Sequence, residues 1–403
     1  MITIWSGEPQ PVDAAELKAR VAGLKFASSA PFSPERVMLL DELSRRILKD
    51  PRTRQAPQYV ALAYWLRRAS MQRLVEALAV NERVGQVRSA RGVALHLPPT
   101  NVDTIFVYSW AMSLLAGNAN VVRLPDTLKL ETRYLVELVM AALQAHGEAD
   151  RHLFCHYPYG AELDAELASH FDLRLIWGGD DKVAAVSKIP IRPDGLSIGF
   201  PDRKSIAVIS AQAYRDADLV QRDALSDRLF NDIYWFDQMG CGSPRLLIWL
   251  GDPADMAADF YQRVAARATR KDYKVEAGTA IAKLALSHDL LAEAITTRHE
   301  TFGNPLHVSR AADPRAALMR PHGGGFLCDW VADSISDITD LADRSLQTVT
   351  HFGLQADQCV ALAEGLRGRG GYRVVPIGEA LQFEPTWDGV DLLQHMTRLI
   401  TWR

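Results

Sequence analysis

Apolar positions in residues 1–85 recur at helical spacing, which predicts a helical N-terminal region. In Arg36–Leu48 the apolar side chains lie three and four positions apart, the spacing of one helix face. Ser33 and Pro34 stand where a helix begins, and Tyr59–Ala79 repeats the pattern. The region carries no candidate chemistry, and we expect it to pack on the domain that follows.

From residue 86 the pattern changes to short apolar runs that alternate with amphipathic segments. The strand-like runs are Gly92–Pro98, Asn120–Pro125 and Leu173–Trp177. The helical segments between them include Phe106–Leu115 and Thr132–His146. Strands that alternate with helices predict a parallel sheet with right-handed crossovers. Residues 86–203 are therefore expected to form a nucleotide-binding α/β domain of the Rossmann type.

A second α/β block is predicted from the next strand-like run, Lys204–Ser210, to residue 370. Its further strand-like runs are Leu246–Leu250, His307–Ser309 and Gly325–Trp330, and its helices include Ile335–Leu341 and Gln355–Arg367. Residues 371–403 are expected to form a return segment that closes with an amphipathic helix over Asp388–Met396. The fold class predicted by this order of elements is α/β, with a cofactor domain and a catalytic domain.

Composition excludes several function classes. The 403 residues carry a net charge of −4, whereas a nucleic-acid-binding protein is expected to have a basic stripe. The four cysteines form no C-x-x-C pair, so no metal site is predicted, and their low number favours a reducing, cytoplasmic location. No run of about 18 apolar residues is present, so no membrane-spanning segment is predicted.

One cysteine lies in a segment that favours a nucleophile. Cys241 stands between two glycines, just before the apolar run Leu246–Leu250. A thiol in this setting is uncrowded, and the N–H of Cys241 can face the atom that the sulfur attacks, which suits covalent acyl chemistry. The competing interpretation is a small buried cysteine near a tight turn. No histidine is adjacent in sequence, and the rival thiol Cys328 lies in a strand-like run and is expected in the core.

A proline-rich turn follows the first strand of the predicted cofactor domain. It runs from Leu97 to Val102 and holds Asn101 at the carboxyl end of a parallel strand, where open α/β sheets bind ligands. An amide N–H₂ fixed at such a place can donate to a developing oxyanion. Asparagine also caps helices, and the local sequence favours neither role.

Two further segments are candidates for cofactor contacts. Arg123 and Asp126 end the next strand, where a cation can contact a ribose or phosphate and a carboxylate can bind ribose hydroxyls. Surface charges on a loop explain them equally well. Gly178 and Gly179 lie between a strand and a helix, where a diphosphate can approach the helix N-terminus. The G-x-G-x-x-G fingerprint is absent from the sequence, so the glycine pair alone is not specific.

In this order, the segments resemble the aldehyde dehydrogenase superfamily. Pro99–Asn101 stands in place of its Pro-Trp-Asn turn, Leu115–Pro125 in place of Gly-Asn-x-x-Val-x-Lys-Pro, and Trp177–Asp180 in place of its Gly-Ser/Gly turn. The resemblance implies an aldehyde dehydrogenase-like fold over roughly residues 85–400. It implies catalytic roles for Cys241 and Asn101. The positions that it implies for the cofactor are Pro99, Thr100, Arg123, Asp126, Gly178 and Gly179.

More narrowly, the chain resembles the LuxC family, the acyl-CoA reductase subunit of the bacterial luminescence fatty-acid reductase. Three segments carry this resemblance: Trp177–Asp181, Asp237–Arg245 and Gln347–Gly353. It implies NADPH as cofactor, although a carboxylate at Asp126 disfavours a 2′-phosphate, so NADH stays open. It also implies an acyl-activating ligase (acyl-protein synthetase) as partner, and the superfamily implies a homo-oligomer.

Two departures from the superfamily bear on the chemistry. Hydrolytic members carry Glu-Leu-Gly-Gly-Lys ahead of the cysteine, and that Glu activates water, whereas Ser197–Lys204 contains no Glu. Because general-base help is worth ~10²–10⁴-fold, the acyl-enzyme is expected to survive until a hydride or a thiol reaches it. The Glu-x-Phe-Gly-Pro motif is also missing; Gly323–Phe326 is the nearest segment, and the contact to the nicotinamide ribose stays unassigned.

The sequence thus predicts an NAD(P)H-dependent reductase that converts an acyl thioester, on CoA or an acyl carrier, to an aldehyde. Cys241 is expected to form an S-acyl intermediate, with its own N–H and the Asn101 amide stabilising the oxyanion. One alternative is a CoA-acylating aldehyde dehydrogenase that works oxidatively. The other is a catalytically silent binding subunit that kept the fold.

Overall fold

The computed structural model describes residues 1–403 apart from 7, 28, 80–84, 126, 159, 255 and 321. The chain divides into two compact units, Met1–Pro201 with Phe383–Arg403 and Asp202–Gln382. Each unit contains a mostly parallel sheet with helices, so the predicted α/β fold is confirmed. Among the described residues, no helix combines the length and the apolarity that crossing a membrane requires.

The N-terminal region is mostly helical, as predicted, but the run Tyr59–Ala79 falls in two separate helices, and the region also contains two strands that the pattern does not predict. Its elements are β1 (Ile2–Trp5), β2 (Pro9–Val12), α1 (Ala14–Gly23), α2 (Pro34–Lys49), α3 (Pro57–Trp65) and α4 (Arg68–Ala79). Helix α2 has Pro34 in its first turn, as expected. The two strands are only four residues long and pair with each other, so they are too short to show a period in the sequence.

The first unit continues with a Rossmann-type sheet. After β3 (Gln86–Ala90), which lies outside this sheet, its elements are β4 (Val93–Leu97), α5 (Ile105–Leu115), β5 (Ala119–Arg123), α6 (Leu130–Ala145), β6 (His152–His156), α7 (Ala161–Ala168), β7 (Leu173–Trp177), α8 (Asp180–Ser187) and β8 (Leu196–Phe200). The strand order is β2-β1-β6-β5-β4-β7-β8, parallel from β6 to β8. From β4 the chain adds β5 and β6 on one side of the sheet and then β7 and β8 on the other. The crevice between the carboxyl ends of β4 and β7 is therefore the topological switch point, where such sheets bind ligands.

The second unit is built on another seven-stranded sheet. Its elements are β9 (Lys204–Ser210), α9 (Ala211–Asp216), α10 (Leu219–Tyr234), β10 (Pro244–Leu250), α11 (Met256–Arg270), α12 (Ala277–Ala292), β11 (Thr296–Thr301), β12 (His307–Ala311), α13 (Pro314–Met319), β13 (Phe326–Ala332), α14 (Ile335–Leu341), β14 (Leu346–Phe352), α15 (Ala356–Gly365) and β15 (Arg373–Pro376). The order is β11-β12-β13-β10-β9-β14-β15, and all pairs except β11–β12 are parallel. The amino ends of β13, β10, β9, β14 and β15 therefore share one edge.

The closing helix predicted over Asp388–Met396 is wrong. The segment instead contains β16 (Thr386–Trp387), β17 (Val390–Asp391), α16 (Leu392–His395) and β18 (Thr397–Thr401). Asp388 and Gly389 have φ of 49° and 76°, so they form a hairpin turn and the helix cannot begin before Leu392. The apolar pattern was real, because Leu393 and Met396 are buried, but it belongs to one helical turn followed by a strand that pairs with β3.

Candidate active site

Cys241 lies in the loop between α10 and β10, at the amino edge of the second sheet, and its side chain is half-buried. The four cysteines, all of them described, carry no disulfide. Burial raises the pKa of the Cys155 and Cys328 thiols to about 12, which leaves both protonated and unreactive. The expectation that Cys328 is a core residue is confirmed, since it lies fully buried in β13.

Three consecutive residues ahead of the thiol have a left-handed backbone. Phe236, Asp237 and Gln238 have φ of 60°, 52° and 63°, a conformation that costs a non-glycine residue about 1–2 kcal/mol. Such a run persists only where the surroundings over-determine it, and it concentrates at functional sites. The sharp turn brings the chain from the end of α10 to Cys241 within a few residues.

The side chain of Gln238 holds this turn in place. It is fully buried, and its Nε2 donates to the carbonyl oxygens of Pro244 (2.8 Å) and Phe326 (2.9 Å). Its Oε1 accepts from the N–H groups of Gly325 (3.1 Å) and Phe326 (3.2 Å). One amide thus joins the cysteine loop to the amino ends of β10 and β13. No local signal in the sequence points to Gln238, because its partners lie far away in the chain.

The Gly323–Gly325 segment packs directly against the same turn. The main-chain oxygen of Asp237 accepts from the N–H of Gly324 at 2.8 Å. A Cβ at Gly323 would lie 2.8 Å from that Asp237 oxygen, and a Cβ at Gly325 would lie 2.0 Å from the carbonyl oxygen of Pro305. Glycine is therefore required by close backbone packing at both positions, and this accounts for a motif whose role the sequence left unassigned.

The other side of the cysteine loop rests on the turn that follows β15. A Cβ at Gly242 would lie 2.4 Å from the carbonyl oxygen of Ala380. The buried carboxylate of Asp232 accepts from the N–H groups of Gly378 (2.7 Å) and Ala380 (3.1 Å) and so fixes the turn to α10. Burial raises the pKa of Asp232 to about 7.

Ser205 forms a hydrogen bond with Cys241, and Arg245 interacts with it electrostatically. The Ser205 hydroxyl donates to the Cys241 carbonyl oxygen at 2.7 Å, which anchors the residue to β9. Burial lowers the pKa of the half-buried Arg245 guanidinium, and the negative charges of Cys241 and Asp202 oppose that shift. A cation that interacts with the sulfur in this way favours thiolate over thiol.

A thiol and an imidazole also meet elsewhere in this unit. Cys359 Sγ lies 3.6 Å from His351 Nε2. Burial raises the pKa of the Cys359 thiol and lowers that of the His351 imidazole. Both groups are therefore neutral near pH 7, and the contact is not an activated Cys–His pair.

In the first unit, the predicted residues Pro99, Thr100 and Asn101 lie in the loop between β4 and α5. Asn101 is exposed. The residue that precedes the first turn of α5 is Thr104, so the interpretation of Asn101 as a helix cap is wrong. The role of an oxyanion donor stays a prediction.

A cleft of about 260 Å³ lies at the carboxyl ends of β4 and β5 and has Pro99, Thr100, Asp103 and Lys129 in its wall. Asp103 accepts a hydrogen bond from Tyr59, while its Oδ1 is buried with no hydrogen-bond partner in the described part of the chain. Burial raises the pKa of this carboxyl. An unpartnered buried acceptor in a cleft at this edge fits a ribose hydroxyl of a nucleotide cofactor. No motif in the sequence points to Asp103.

Of the two charged residues predicted at the end of β5, Arg123 and Asp126, the structure describes only Arg123. Arg123 is buried, and its Nε (2.9 Å) and Nη2 (2.6 Å) donate to the carbonyl oxygen of Tyr157, so the alternative of a surface charge is wrong for this residue. The guanidinium also lies 4.8 Å from the centre of the Tyr157 ring. Asp126 lies outside the described residues.

Gly178 and Gly179 lie between β7 and α8, next to the switch point at the carboxyl ends of β4 and β7. Gly178 has φ of 151°, and a Cβ there would lie 2.8 Å from the side chain of Lys182. Lys182 Nζ donates to the carbonyl oxygens of Leu97, Pro98 and Trp177 at 3.3, 2.9 and 2.8 Å, and so ties the ends of β4 and β7 together. Burial, and next the charge of Arg123, lowers the pKa of Lys182 to about 8. A glycine turn at a helix start fits a diphosphate, whereas the three donors of the Lys182 ammonium are used by these carbonyl oxygens.

No group of His, Cys, Asp or Glu side chains suited to a metal ion occurs among the described residues. The second unit offers a thiol that interacts with the charge of a guanidinium, and the first unit offers the crevice at the carboxyl ends of β4, β5 and β7.

The sequence matches the family described as acyl-CoA reductase (LuxC) over residues 54–300, more than half of the chain. No curated protein matches it. An oxidoreductase from Marinobacter aquaeolei has a similar structure, with a TM-score of 0.71, 12% identity and coverage of 98% of this chain and 91% of that one. Aldehyde dehydrogenase 21 from Physcomitrella patens, in complex with the reaction product succinate, is also similar, with a TM-score of 0.68 and 10% identity. The match covers 100% of this chain and 98% of that one. These likenesses show the aldehyde dehydrogenase fold that the sequence predicted.

Proposed function

The chain belongs to the acyl-CoA reductase (LuxC) family, and from that premise we propose that it reduces an acyl thioester to an aldehyde through an S-acyl intermediate on Cys241. The observation that carries the proposal is the setting of this thiol. Cys241 is half-buried, held by Ser205, and coupled to the charge of Arg245, whereas Cys155 and Cys328 are buried and protonated.

In the proposed first step, the Cys241 thiolate attacks the carbonyl carbon of the thioester. The Cys241 N–H and the Asn101 amide are the proposed donors to the oxyanion. When the oxyanion collapses, the bond to the donor thiol breaks, and that thiol leaves with the electron pair and takes up a proton. When bound, the nicotinamide cofactor supplies the hydride that reduces the S-acyl group. Loss of aldehyde from the resulting thiohemiacetal returns the Cys241 thiolate.

The proposed cofactor is NADPH, which the family favours, with NADH as the competitor. Gly178 and Gly179 would face the diphosphate, and the cleft with Pro99, Thr100 and Asp103 would take a ribose. Arg123 would act by holding the Tyr157 carbonyl at the end of the neighbouring strand. An assay with each reduced cofactor decides between the two.

The proposed partners are an acyl-CoA or acyl-carrier donor, an acyl-activating ligase and a second copy of this chain, all in the cytoplasm. The ribbon of β3 and β18 supports the homo-oligomer, because the apolar side chains of Val87 and Ile400, which pair across its two strands, are about half exposed. Exposed apolar patches of this kind are typical of protein interfaces.

The test is aldehyde formation from an acyl-CoA panel with NADPH or NADH, together with intact-protein mass spectrometry. With acyl-CoA alone, the wild-type protein should gain the mass of one acyl group, and the Cys241→Ala variant should gain none. A wild-type protein that neither gains acyl mass nor forms aldehyde would instead be the silent subunit.

A further inference from the structure

A cleft lies at the amino edge of the sheet in the second unit. Its volume is about 600 Å³. The wall contains the side chains of Arg203, Arg344, Arg367 and Tyr372 and the glycine loop 368–371, and it contains no carboxylate. Neither the proposed catalytic step nor the cofactor accounts for it.

Backbone packing gives the cleft a fixed floor. Gly370 and Gly371 have φ of 96° and 72°, and a Cβ at Gly370 would lie 2.3 Å from the carbonyl oxygen of Asp343. The N–H of Gly371 donates to the carbonyl oxygen of Leu346 at 2.8 Å, which fastens the loop to β14. Glycine is therefore required at this position of the loop.

The side chains in the wall suit a phosphorylated ligand. Arg203 donates to the carbonyl oxygen of Arg344, and its guanidinium lies 5.9 Å from the centre of the half-exposed Tyr372 ring. Within the described residues, the guanidinium of Arg344 makes no hydrogen bond or ion pair. Arg367 pairs with Glu364, but both side chains are exposed, so that pair contributes little. Guanidinium groups are preferred phosphate partners, and a tyrosine ring can stack on a base.

The cleft and the thiol occupy the same edge of the sheet. Ser205 links them, since its hydroxyl donates to the Cys241 carbonyl oxygen (2.7 Å) and accepts from the N–H of Thr348 in β14 (3.2 Å). Tyr372 precedes β15, which is three strand positions from β10 in the order β10-β9-β14-β15. At about 4.8 Å per strand, three positions span about 14 Å.

We propose that this cleft binds the phosphorylated adenosine end of coenzyme A, so that the acyl donor is acyl-CoA; the inference rests on the proposed thioester chemistry at Cys241. The pantetheine arm between phosphate and sulfur has the bond count of an extended peptide of about four residues, or about 14 Å. It therefore bridges the strand positions that separate the cleft from the thiol. A concave cleft with an exposed ring suits a nucleotide, whereas an acyl-carrier protein presents a broad protein surface.

The test compares three donors of the same acyl group: acyl-CoA, the acyl thioester of N-acetylcysteamine, and an acyl-carrier protein. The variants are Arg344→Ala and Arg344→Glu, and the matched control is Arg270→Ala, an exposed arginine at the end of α11. Loss of one charged hydrogen bond predicts a KM for acyl-CoA that rises about ten- to a hundred-fold, with kcat unchanged. The KM values for the N-acetylcysteamine thioester and for NADPH should not move. In direct titrations, the Arg344 variants should bind CoA more weakly than the wild-type protein does and should bind NADP⁺ equally well.

The outcomes separate this inference from the function on which it rests. The assignment of the cleft is overturned if Arg344→Glu binds CoA as tightly as the wild-type protein does, or if the substitution weakens binding of NADP⁺ or of the acyl-carrier protein instead. Thioester reduction as the proposed function would still stand. Reduction of no thioester by the wild-type protein overturns the proposed function, and the CoA titration then still decides what the cleft binds.

Discussion

Gln238 pairs with Phe326 as one strand residue pairs with another. Its side-chain amide donates to the Phe326 carbonyl oxygen at 2.9 Å and accepts from the Phe326 N–H at 3.2 Å. Through these bonds and those to Pro244 and Gly325, a side chain fills the place of a missing peptide group at the sheet edge beside Cys241. The left-handed backbone of Gln238 itself is the conformational cost of directing the amide there.

Replacing Gln238 should therefore weaken both the fold and the thiol site. Gln238→Leu leaves four buried main-chain groups short of a partner, and unsatisfied groups cost about 1–3 kcal/mol each. We expect the free energy of unfolding to fall by about 3 kcal/mol or more. The rate of Cys241 alkylation in folded protein should also change, which a loss of packing elsewhere would not cause. Gln262→Leu, on the exposed face of α11, is the control, and equal effects from both variants would refute the role of Gln238.

The assignment of the nucleophile predicts different results for two cysteines. Cys241→Ala should abolish acyl transfer to the protein while cofactor binding is retained. Cys328→Ala should keep acyl transfer and lose stability, because it empties space in β13. Peptide mapping after brief iodoacetamide treatment should find the label on Cys241, since the buried thiols of Cys155 and Cys328 are protonated and burial also raises the pKa of the Cys359 thiol. Turnover that survives in Cys241→Ala and disappears in Cys328→Ala would reverse the assignment.

Arg245 should set the pH at which Cys241 becomes reactive. A neighbouring cation favours the thiolate, so Arg245→Met should move the midpoint of the alkylation-rate profile to higher pH by about one unit. Arg245→Lys keeps the charge and should restore most of the rate. The measurement is alkylation rate against pH for the three proteins, and coincident profiles would mean that Arg245 has only a structural role.

Asp232 should make stability fall as pH rises. Its folded pKa is about 7, above the value near 3.9 of an unfolded chain, so the folded state binds the proton more tightly. The stabilisation by the bound proton is fully present below pH 4. It is lost progressively between pH 4 and pH 7, by about 1.4 kcal/mol per pH unit. Asp232→Asn cannot titrate, and its single amide oxygen can accept from only one of the N–H groups of Gly378 and Ala380, so it adds a loss of stability that does not depend on pH. The difference in unfolding free energy between wild type and variant should slope downward from pH 4 to pH 7, and a flat difference would contradict the assignment.

Local pattern was sufficient where an element is bounded by residues that stop it. The strand Leu173–Trp177 was predicted with its observed bounds, because Gly178 with φ of 151° ends it. Pattern was insufficient where a role depends on distant partners. The amide of Gln238 meets a residue 88 positions away, and Lys182 closes on carbonyl groups 84 and 85 positions away. Hydrogen bonds of that range leave no trace in hydrophobic spacing.

The missing glutamate predicts that a thiol, and not water, should release the acyl group. Ser197–Phe200 contains no carboxylate, and Asp202, the one that follows, is exposed and interacts with the charge of Arg245. Without a general base, attack by water on the S-acyl group should be slower by ~10²–10⁴-fold, whereas CoA carries a more acidic nucleophile. Aldehyde plus oxidised cofactor should therefore yield little free acid, and added CoA should restore oxidation as acyl-CoA. The measurement is acid and acyl-CoA release with and without CoA, with Asp202→Asn as the paired variant. Fast acid release that Asp202→Asn removes would identify Asp202 as a base, and fast release that survives in the variant would remove the physical argument for a reductase.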